Sequence, residues 1–200
     1  MDFEHALHIF NSLYENINGY SLSSLGRAQV GSDDKAFTYG EISPEAFYSI
    51  LSSLPIKPKG VFYDLGSGTG KAVLLAHMLF EFERSVGIEF LEPLHDGAVQ
   101  VISKYHKQYK SLVPEKREIE LIHGNFLIQD FSDADIIFMH STCFPDYIWE
   151  QLEEKFKHLK EDAYLLTVTK TIHTTHFQYI KSKEFGMAWG RATVHFYKKC

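Results

Sequence analysis

Apolar positions recur along this chain at two spacings, and the change from one to the other divides it into elements. Near the start, Ala6, Phe10, Leu13 and Ile17, with Leu7 and Tyr14 beside them, share one side of a helical period and predict an amphipathic helix from about Asp2 to Asn16. Residues 18 to 42, rich in Gly, Ser and Asp, carry no sustained period and are expected to form a covering loop or to lack order. Ser43-Pro44 has the chemistry of an N-cap followed by a first-turn proline, and Phe47, Ile50, Leu51 and Leu54 mark one face of the next helix. From Val61 onward, the apolar run 61 to 63 suits a buried parallel strand, 85 to 90 reads as a strand ending in a carboxylate, 119 to 122 and 136 to 139 read as buried strands, and 163 to 168 as the strand that follows. Helices over Lys71 to Phe82, Leu94 to Tyr109 and Phe144-Pro145 through Phe156 are interleaved with them, and two last strands fall near His176 to Lys181 and Thr193 to Lys198. The sum is an α/β fold: a mainly parallel seven-stranded sheet with a C-terminal antiparallel hairpin and helices on both faces. Residues 1–42 read as an N-terminal helix and covering loop and 43–200 as the sheet domain, within one structural domain.

Composition narrows the partners. Two hundred residues, 44% of them hydrophobic, make one substantial core. Twenty Lys and Arg stand against twenty-six Asp and Glu, a net charge of -6, so no general attraction to a polyanion is expected and nucleic acid is a poor partner. Lys104, Lys107, Lys110, Lys116 and Arg117 are the densest basic stretch and read as a solvated face. Cys143 and Cys200 offer no disulfide framework, and the start Met-Asp-Phe-Glu-His lacks a signal pattern, which points to an intracellular location, cytoplasmic or nuclear. No apolar run approaches the ~20 residues of a membrane span, so no membrane partner is expected. The oligomeric state is left open.

The candidate chemistry lies where the first strand ends. Val61 to Gly70 reads Val-Phe-Tyr-Asp-Leu-Gly-Ser-Gly-Thr-Gly, a strand running into a glycine turn and a helix, and the next strand ends at Glu89. A phosphate-gripping loop would need a glycine five residues before Gly70-Lys71 and a hydroxyl residue after it, where Leu65 and Ala72 stand. A dinucleotide turn spaces its glycines G-x-G-x-x-G, whereas Gly66, Gly68 and Gly70 are spaced G-x-G-x-G, which leaves less room for a pyrophosphate. Asp64 before the turn suits a cofactor with a cationic amino-acid part, S-adenosylmethionine, and Glu89 lies close to the ~20-residue distance at which a strand-end acid accepts ribose hydroxyls. Asp64, Glu89, Asn125 and His140 all fall at expected strand ends and should gather around one crevice.

Tyr39-Gly40-Glu41, Asp64 to Gly68, Gly87-Ile88-Glu89, Gly124-Asn125-Phe126 and Trp189 with Phe196-Tyr197 together resemble the Dot-one-like, non-SET histone lysine methyltransferase family, a class I, Rossmann-like methyltransferase fold, over roughly Thr38 to Tyr197. The resemblance implies that Tyr39, Gly40 and Glu41 close over the methionine end of S-adenosylmethionine and that Asp64, Gly66, Ser67, Gly68, Gly70 and Lys71 line it. It further implies that Glu89 holds the ribose and that Asn125 and Phe126 frame the adenine. The function implied is methyl transfer to a protein side chain, lysine foremost, with a small-molecule methyltransferase or a catalytically silent cofactor-binding module as alternatives. Four positions depart from the family pattern: Asn125 replaces an aspartate, His140-Ser141 replaces paired asparagines, and Phe196 replaces a tyrosine. With the acidic balance, they set a nucleosome low among substrates. An apolar channel favours a neutral lysine amine, and Tyr39, Phe144 and Trp189 are candidates for its walls. Adjacent strand residues point opposite ways, so one of His140 and Ser141 faces the crevice. Alignment with the family favours Ser141, which joins Phe144 and Trp189 as candidate catalytic residues and borders the cofactor. His173 and His176 lack a carboxylate partner, so no metal is expected, and Cys143 reads as a small buried hydrophobe.

Overall fold

A computed structural model describes residues 1–32, 34–114 and 116–200. Two N-terminal helices, α1 (Phe3–Tyr14) and α2 (Gly19–Val30), precede α3 (Pro44–Ser52). There follow β1 (Val61–Leu65), α4 (Lys71–Leu79), β2 (Arg84–Glu89), α5 (Glu92–Tyr109), β3 (Glu118–His123), β4 (Ile136–Met139), α6 (Asp146–Phe156) and β5 (Tyr164–Val168). The hairpin β6 (Phe177–Met187) and β7 (Gly190–Lys199) closes the chain. The strands form one seven-stranded sheet in the order β3-β2-β1-β4-β5-β7-β6. β3 through β5 are mutually parallel, and β7 enters antiparallel between β5 and β6. The order therefore reverses between β1 and β4, and the carboxyl ends of those two strands are where a sheet of this kind leaves a crevice.

Side-chain alternation sorts the strands into two cores. Phe62 of β1 and Ile136 and Phe138 of β4 face α1, α3, α4 and α5 with Leu166, Val194 and Phe196. Tyr63, Leu65, Ile137, Met139 and Leu165 face α6 with Trp149, Leu152 and Phe156. Phe47 of α3 is fully buried and meets Phe62 and Phe138 edge to face at 5.8 and 5.7 Å. Truncating such a ring costs about 3–5 kcal/mol. It anchors α3, and with it the preceding segment 39–42, to the sheet.

The expected loop over residues 18 to 42 is corrected: α2 occupies most of its first half. Asn18 caps it, its side chain accepting from Ser21 N, and Gly31 ends it at φ +62°. Its buried positions are Gly19, Ser23 and Gly26, so no apolar period marks the inner face. Small residues let α2 settle closely on α5: a Cβ at Gly26 would lie 3.0 Å from Leu91, and one at Gly97 2.8 Å from Leu22. The terminal strands also run longer than expected, Gly186 lying inside β6 opposite Arg191, with Ala188-Trp189 at the turn. α4 stops at Leu79, where Phe80 turns extended.

Candidate functional site

The turn after β1 is built of conformations that only glycine adopts without strain. Gly66, Gly68 and Gly70 have φ of +85°, +54° and +76°. The amides of Gly66 and Ser67 donate to the Ile88 carbonyl at 2.9 and 3.0 Å, fastening the turn to β2. Glu89 reaches across from the end of β2, its Oε2 accepting from Gly68 N at 2.7 Å and its Oε1 from Leu91 N at 2.8 Å. Burial raises the Glu89 carboxyl above its ordinary value, and the amides of Leu91 and Gly68 pull it back.

Asp64, 4% exposed, has no such help. Burial and then the nearby Glu89 push its carboxyl well above the usual range, and no hydrogen bond from the described residues opposes them. A buried carboxylate facing a crevice without a donor is costly unless a cation meets it.

The segment before α3 straps this turn down. The Tyr39 hydroxyl donates to Glu41 Oε1 at 2.7 Å and sits 3.2 Å from Thr69 Oγ1, while Glu41 Oε2 accepts from Lys71 Nζ at 2.7 Å. Tyr14 of α1 donates to the Thr69 carbonyl at 2.9 Å. On the other side Ala188 N donates to the Glu41 carbonyl at 2.9 Å, and Ile42 forms a bridge to Met187. Residues 39–42 are thus clamped between the glycine turn and the β6–β7 hairpin. Further out, Phe37 stacks on Phe90 at 5.4 Å and Tyr147 of α6 donates to Asp34.

Two adjoining crevices result. The larger, about 210 Å³, is lined among others by Phe37, Glu89, Phe90, Asn125, Phe126 and Phe144. The smaller is lined by Tyr39, Glu41, Asp64, Ser67, Gly68 and Lys71, among others. Asn125 Oδ1 accepts from Leu127 N at 2.8 Å, which holds that side chain in its turn and leaves its NH₂ to donate. Phe144 packs on Phe126 with centroids 5.5 Å apart, and its tip approaches Gly66. Gly70 lies behind the turn at the start of α4, where a Cβ would sit 3.1 Å from Ala98.

The structure reverses the expectation for the residues after β4. Ser141 is fully buried, borders neither crevice, and donates its hydroxyl to the Val168 carbonyl at 2.8 Å. His140 lines both crevices. The parity of the strand explains it: position 140 continues the face of Ile136 and Phe138, the face on which the strap and α4 lie. Trp189, 46% exposed at the hairpin turn, stands against His140, its Nε1 donating to Nε2 at 3.4 Å. Burial pushes the His140 pKa down to about 4. Phe37, Phe90 and Tyr147 had no signal in the sequence, because loop contacts rather than a motif bring them in. Among the described residues no group of three His, Cys, Asp or Glu side chains converges as a metal site, and no helix is long and apolar enough to cross a membrane.

Solved structures share this fold. An RNA methyltransferase from Salinibacter ruber, determined in complex with S-adenosyl-L-homocysteine, superposes with a TM-score of 0.59 at 19% identity over 78% of this chain and 90% of that one. A methyltransferase from Pyrococcus furiosus does so with a TM-score of 0.59 at 16% identity over 90% and 96%. In sequence, the Caenorhabditis elegans protein named histone-lysine N-methyltransferase, H3 lysine-79 specific, is 30% identical over 183 residues, covering 80% of this chain and 19% of that protein. A Cryptococcus neoformans protein of the same name is 28% identical over 150 residues, covering 72% and 23%. The chain therefore matches less than a quarter of the length of either relative. The family model described as histone methylation protein DOT1 matches residues 23–198, nearly the whole fold and all of the site, and the chain belongs to that family.

Proposed function

We propose that this protein is an S-adenosylmethionine-dependent methyltransferase whose acceptor is a lysine side chain of a protein. The observation that carries the reading is Asp64, a buried carboxylate with no donor among the described residues, set just before a positive-φ glycine turn and near Glu89. It fits the cationic amino-acid end of that cofactor, whose ammonium would supply the missing partner. The lone pairs that Glu89 retains after accepting from Gly68 and Leu91 suit ribose hydroxyls, while Asn125 and Phe126 offer a donor and an aromatic face to an adenine. The cofactor supplies a methyl group on a sulfonium; the protein has to bind, align and exclude water. Alignment of this kind contributes up to about 7–11 kcal/mol. Tyr39, Phe144 and Trp189 supply aromatic walls that favour a neutral amine and tolerate a cationic product. Two relatives are named for histone H3 lysine 79, which makes histone H3 the first acceptor to try and the nucleus the matching location.

Calorimetry with S-adenosylmethionine, on wild type and on Glu89→Ala, tests the cofactor half, with binding by wild type and a marked weakening in the variant expected. Mass spectrometry of histone H3 and of whole-cell protein incubated with methyl-labelled cofactor tests the other half. Equal binding by both proteins would overturn the ribose assignment, and label appearing in protein-free extract but in no protein would overturn the lysine acceptor.

A further inference from the structure

The two crevices meet at Tyr39, Gly40, Gly66 and His140, the four residues lining both. A ligand with its adenine beside Phe126 and its ammonium beside Asp64 has to pass its middle, the sulfonium, through this junction. Two of the four are glycines, and the Tyr39 hydroxyl is committed to Glu41 and Thr69. His140 brings the one side-chain nitrogen. Its Nε2 accepts from the Trp189 indole, the rings meeting edge to face at 5.7 Å, so the ring carries its proton on Nδ1. At 3.4 Å that hydrogen bond is long, and its donor is half-exposed at a hairpin turn. Gly40 makes the approach possible, since a Cβ there would stand 2.9 Å from both His140 and Trp189. An N–H donor thus already occupies Nε2, on the solvent side of the junction.

We propose that His140 is a catalytic residue whose Nε2 accepts an N–H of the incoming lysine side chain and aims that nitrogen at the methyl group, in the place the Trp189 N–H holds in this structure. The inference rests on the methyltransferase reading above. The lysine ammonium gives one proton to solvent and keeps two N–H bonds, one of them directed to His140. The nitrogen lone pair then forms the N–C bond as the C–S bond breaks, its electron pair remaining on sulfur. The nitrogen ends as a methylammonium and the sulfur as a neutral thioether. His140 neither gains nor loses a proton, which suits a ring that burial keeps neutral at physiological pH and that puts no second positive charge beside a sulfonium.

The test uses His140→Leu, which removes the acceptor, and His140→Gln, whose amide oxygen can stand near the Nε2 position. Methylation of the best protein acceptor by His140→Leu should fall about 100-fold in kcat, with at least a tenth of that loss of alignment recovered in His140→Gln. Calorimetry with S-adenosylmethionine should change by no more than about 3-fold in either variant. The second readout is the indole ¹H–¹⁵N NMR signal of Trp189 with S-adenosylhomocysteine bound and Nα-acetyl-lysine amide titrated in. In wild type the signal should move as the probe displaces the indole from His140. In His140→Leu it should start at the unbonded position and stay there. A His140→Leu enzyme within about 2-fold of wild-type kcat overturns the proposal, as does a wild-type Trp189 signal that ignores the probe, or cofactor binding lost in both variants. Wild type that binds the cofactor and methylates no protein overturns the lysine reading itself, and this inference with it.

Discussion

Gly68→Ala should lower folding stability by about 2–4 kcal/mol, and about half of that loss should vanish when Tyr39 is also cut back to alanine. The first part is backbone: Gly68 has φ +54°, and an L-residue there costs about 1–2 kcal/mol. The second part is a collision. The new Cβ would lie 2.6 Å from Tyr39 Cε2, and ordinary contact begins at 3.4 Å, so the ring has to retreat by about 0.8 Å. It has nowhere to go freely. Its hydroxyl is tied to Glu41 at 2.7 Å and faces Thr69 at 3.2 Å, its ring meets that of Tyr20 edge to face at 5.3 Å, and Gly19 backs the hydroxyl so closely that a Cβ there would be 2.3 Å away. Giving up one or two of those contacts costs about 1–2 kcal/mol.

Urea denaturation of wild type, both single variants and the double variant closes the cycle, provided the four m values agree. The expected coupling is about 1–2 kcal/mol, the cost of Gly68→Ala being smaller once the ring is gone. Additivity within about 0.5 kcal/mol would refute the clash and leave only the backbone argument. S-adenosylmethionine affinity gives a second reading, since the displaced strap should weaken binding by about 10-fold even though the Gly68 amide that meets Glu89 is unchanged.

Other consequences are smaller in scope. Because burial and Glu89 hold the Asp64 carboxyl well above its ordinary value, and a bound cation would draw it down, S-adenosylmethionine binding should release a proton and tighten as pH rises from acid toward neutrality. Calorimetry in two buffers of different ionisation enthalpy measures this, and Asp64→Asn should abolish it; a wild-type affinity flat with pH would contradict it. Ser141→Ala should lose about 1–2 kcal/mol of stability through the Val168 carbonyl, yet keep kcat within about 3-fold, and a collapse of kcat without loss of stability would return Ser141 to the chemistry. His77 is buried and its pKa is pushed down to about 3, by burial first and by Arg117 next. The unfolded chain takes up that proton near pH ~6.5, so stability is full above that value and falls on acidification toward the folded pKa at up to ~1.4 kcal/mol per pH unit. Denaturation between pH 7 and 5 should show the slope, with His140 adding its own share in the same direction, and His77→Leu should reduce it; an unchanged slope would show that His77 binds its proton equally in the folded and unfolded chain.

The alternation of strands and helices from Val61 to Val168 was readable because the central strands are short buried runs between turn residues and each helix has an apolar face, whereas β3, expected to be buried at 119 to 122, is an edge strand whose positions are half-buried or exposed. α2 was not, and the reason is physical. A helix that packs through Gly19, Ser23 and Gly26 buries backbone rather than side chains, so close approach to α5 replaces the apolar stripe that periodicity detects. The excess length of β6 and β7 was hidden for a related reason. Their ends run with polar and charged side chains outward, and only Phe185 and Met187 on one strand and Ala192 on the other mark the buried face.

The two halves of the site differ in the same way. The cofactor half is written in residue types, since three positive-φ positions demand glycine and two strand ends carry carboxylates, and both can be read from one chain. The acceptor half is written in direction. After β4, the parity of Ile136, Phe138 and His140 against Ile137, Met139 and Ser141 was already present in the sequence. Choosing between the two sets required knowing which face of the sheet carries the strap, and that is decided by contacts distant in sequence: Glu41 with Lys71 and Ala188, and Ile42 with Met187. Once those contacts are in place, the histidine is turned toward the junction and the serine hydroxyl has a backbone carbonyl to satisfy it on the far side. Resemblance at positions 140 and 141 pointed to the hydroxyl, and geometry selects the imidazole.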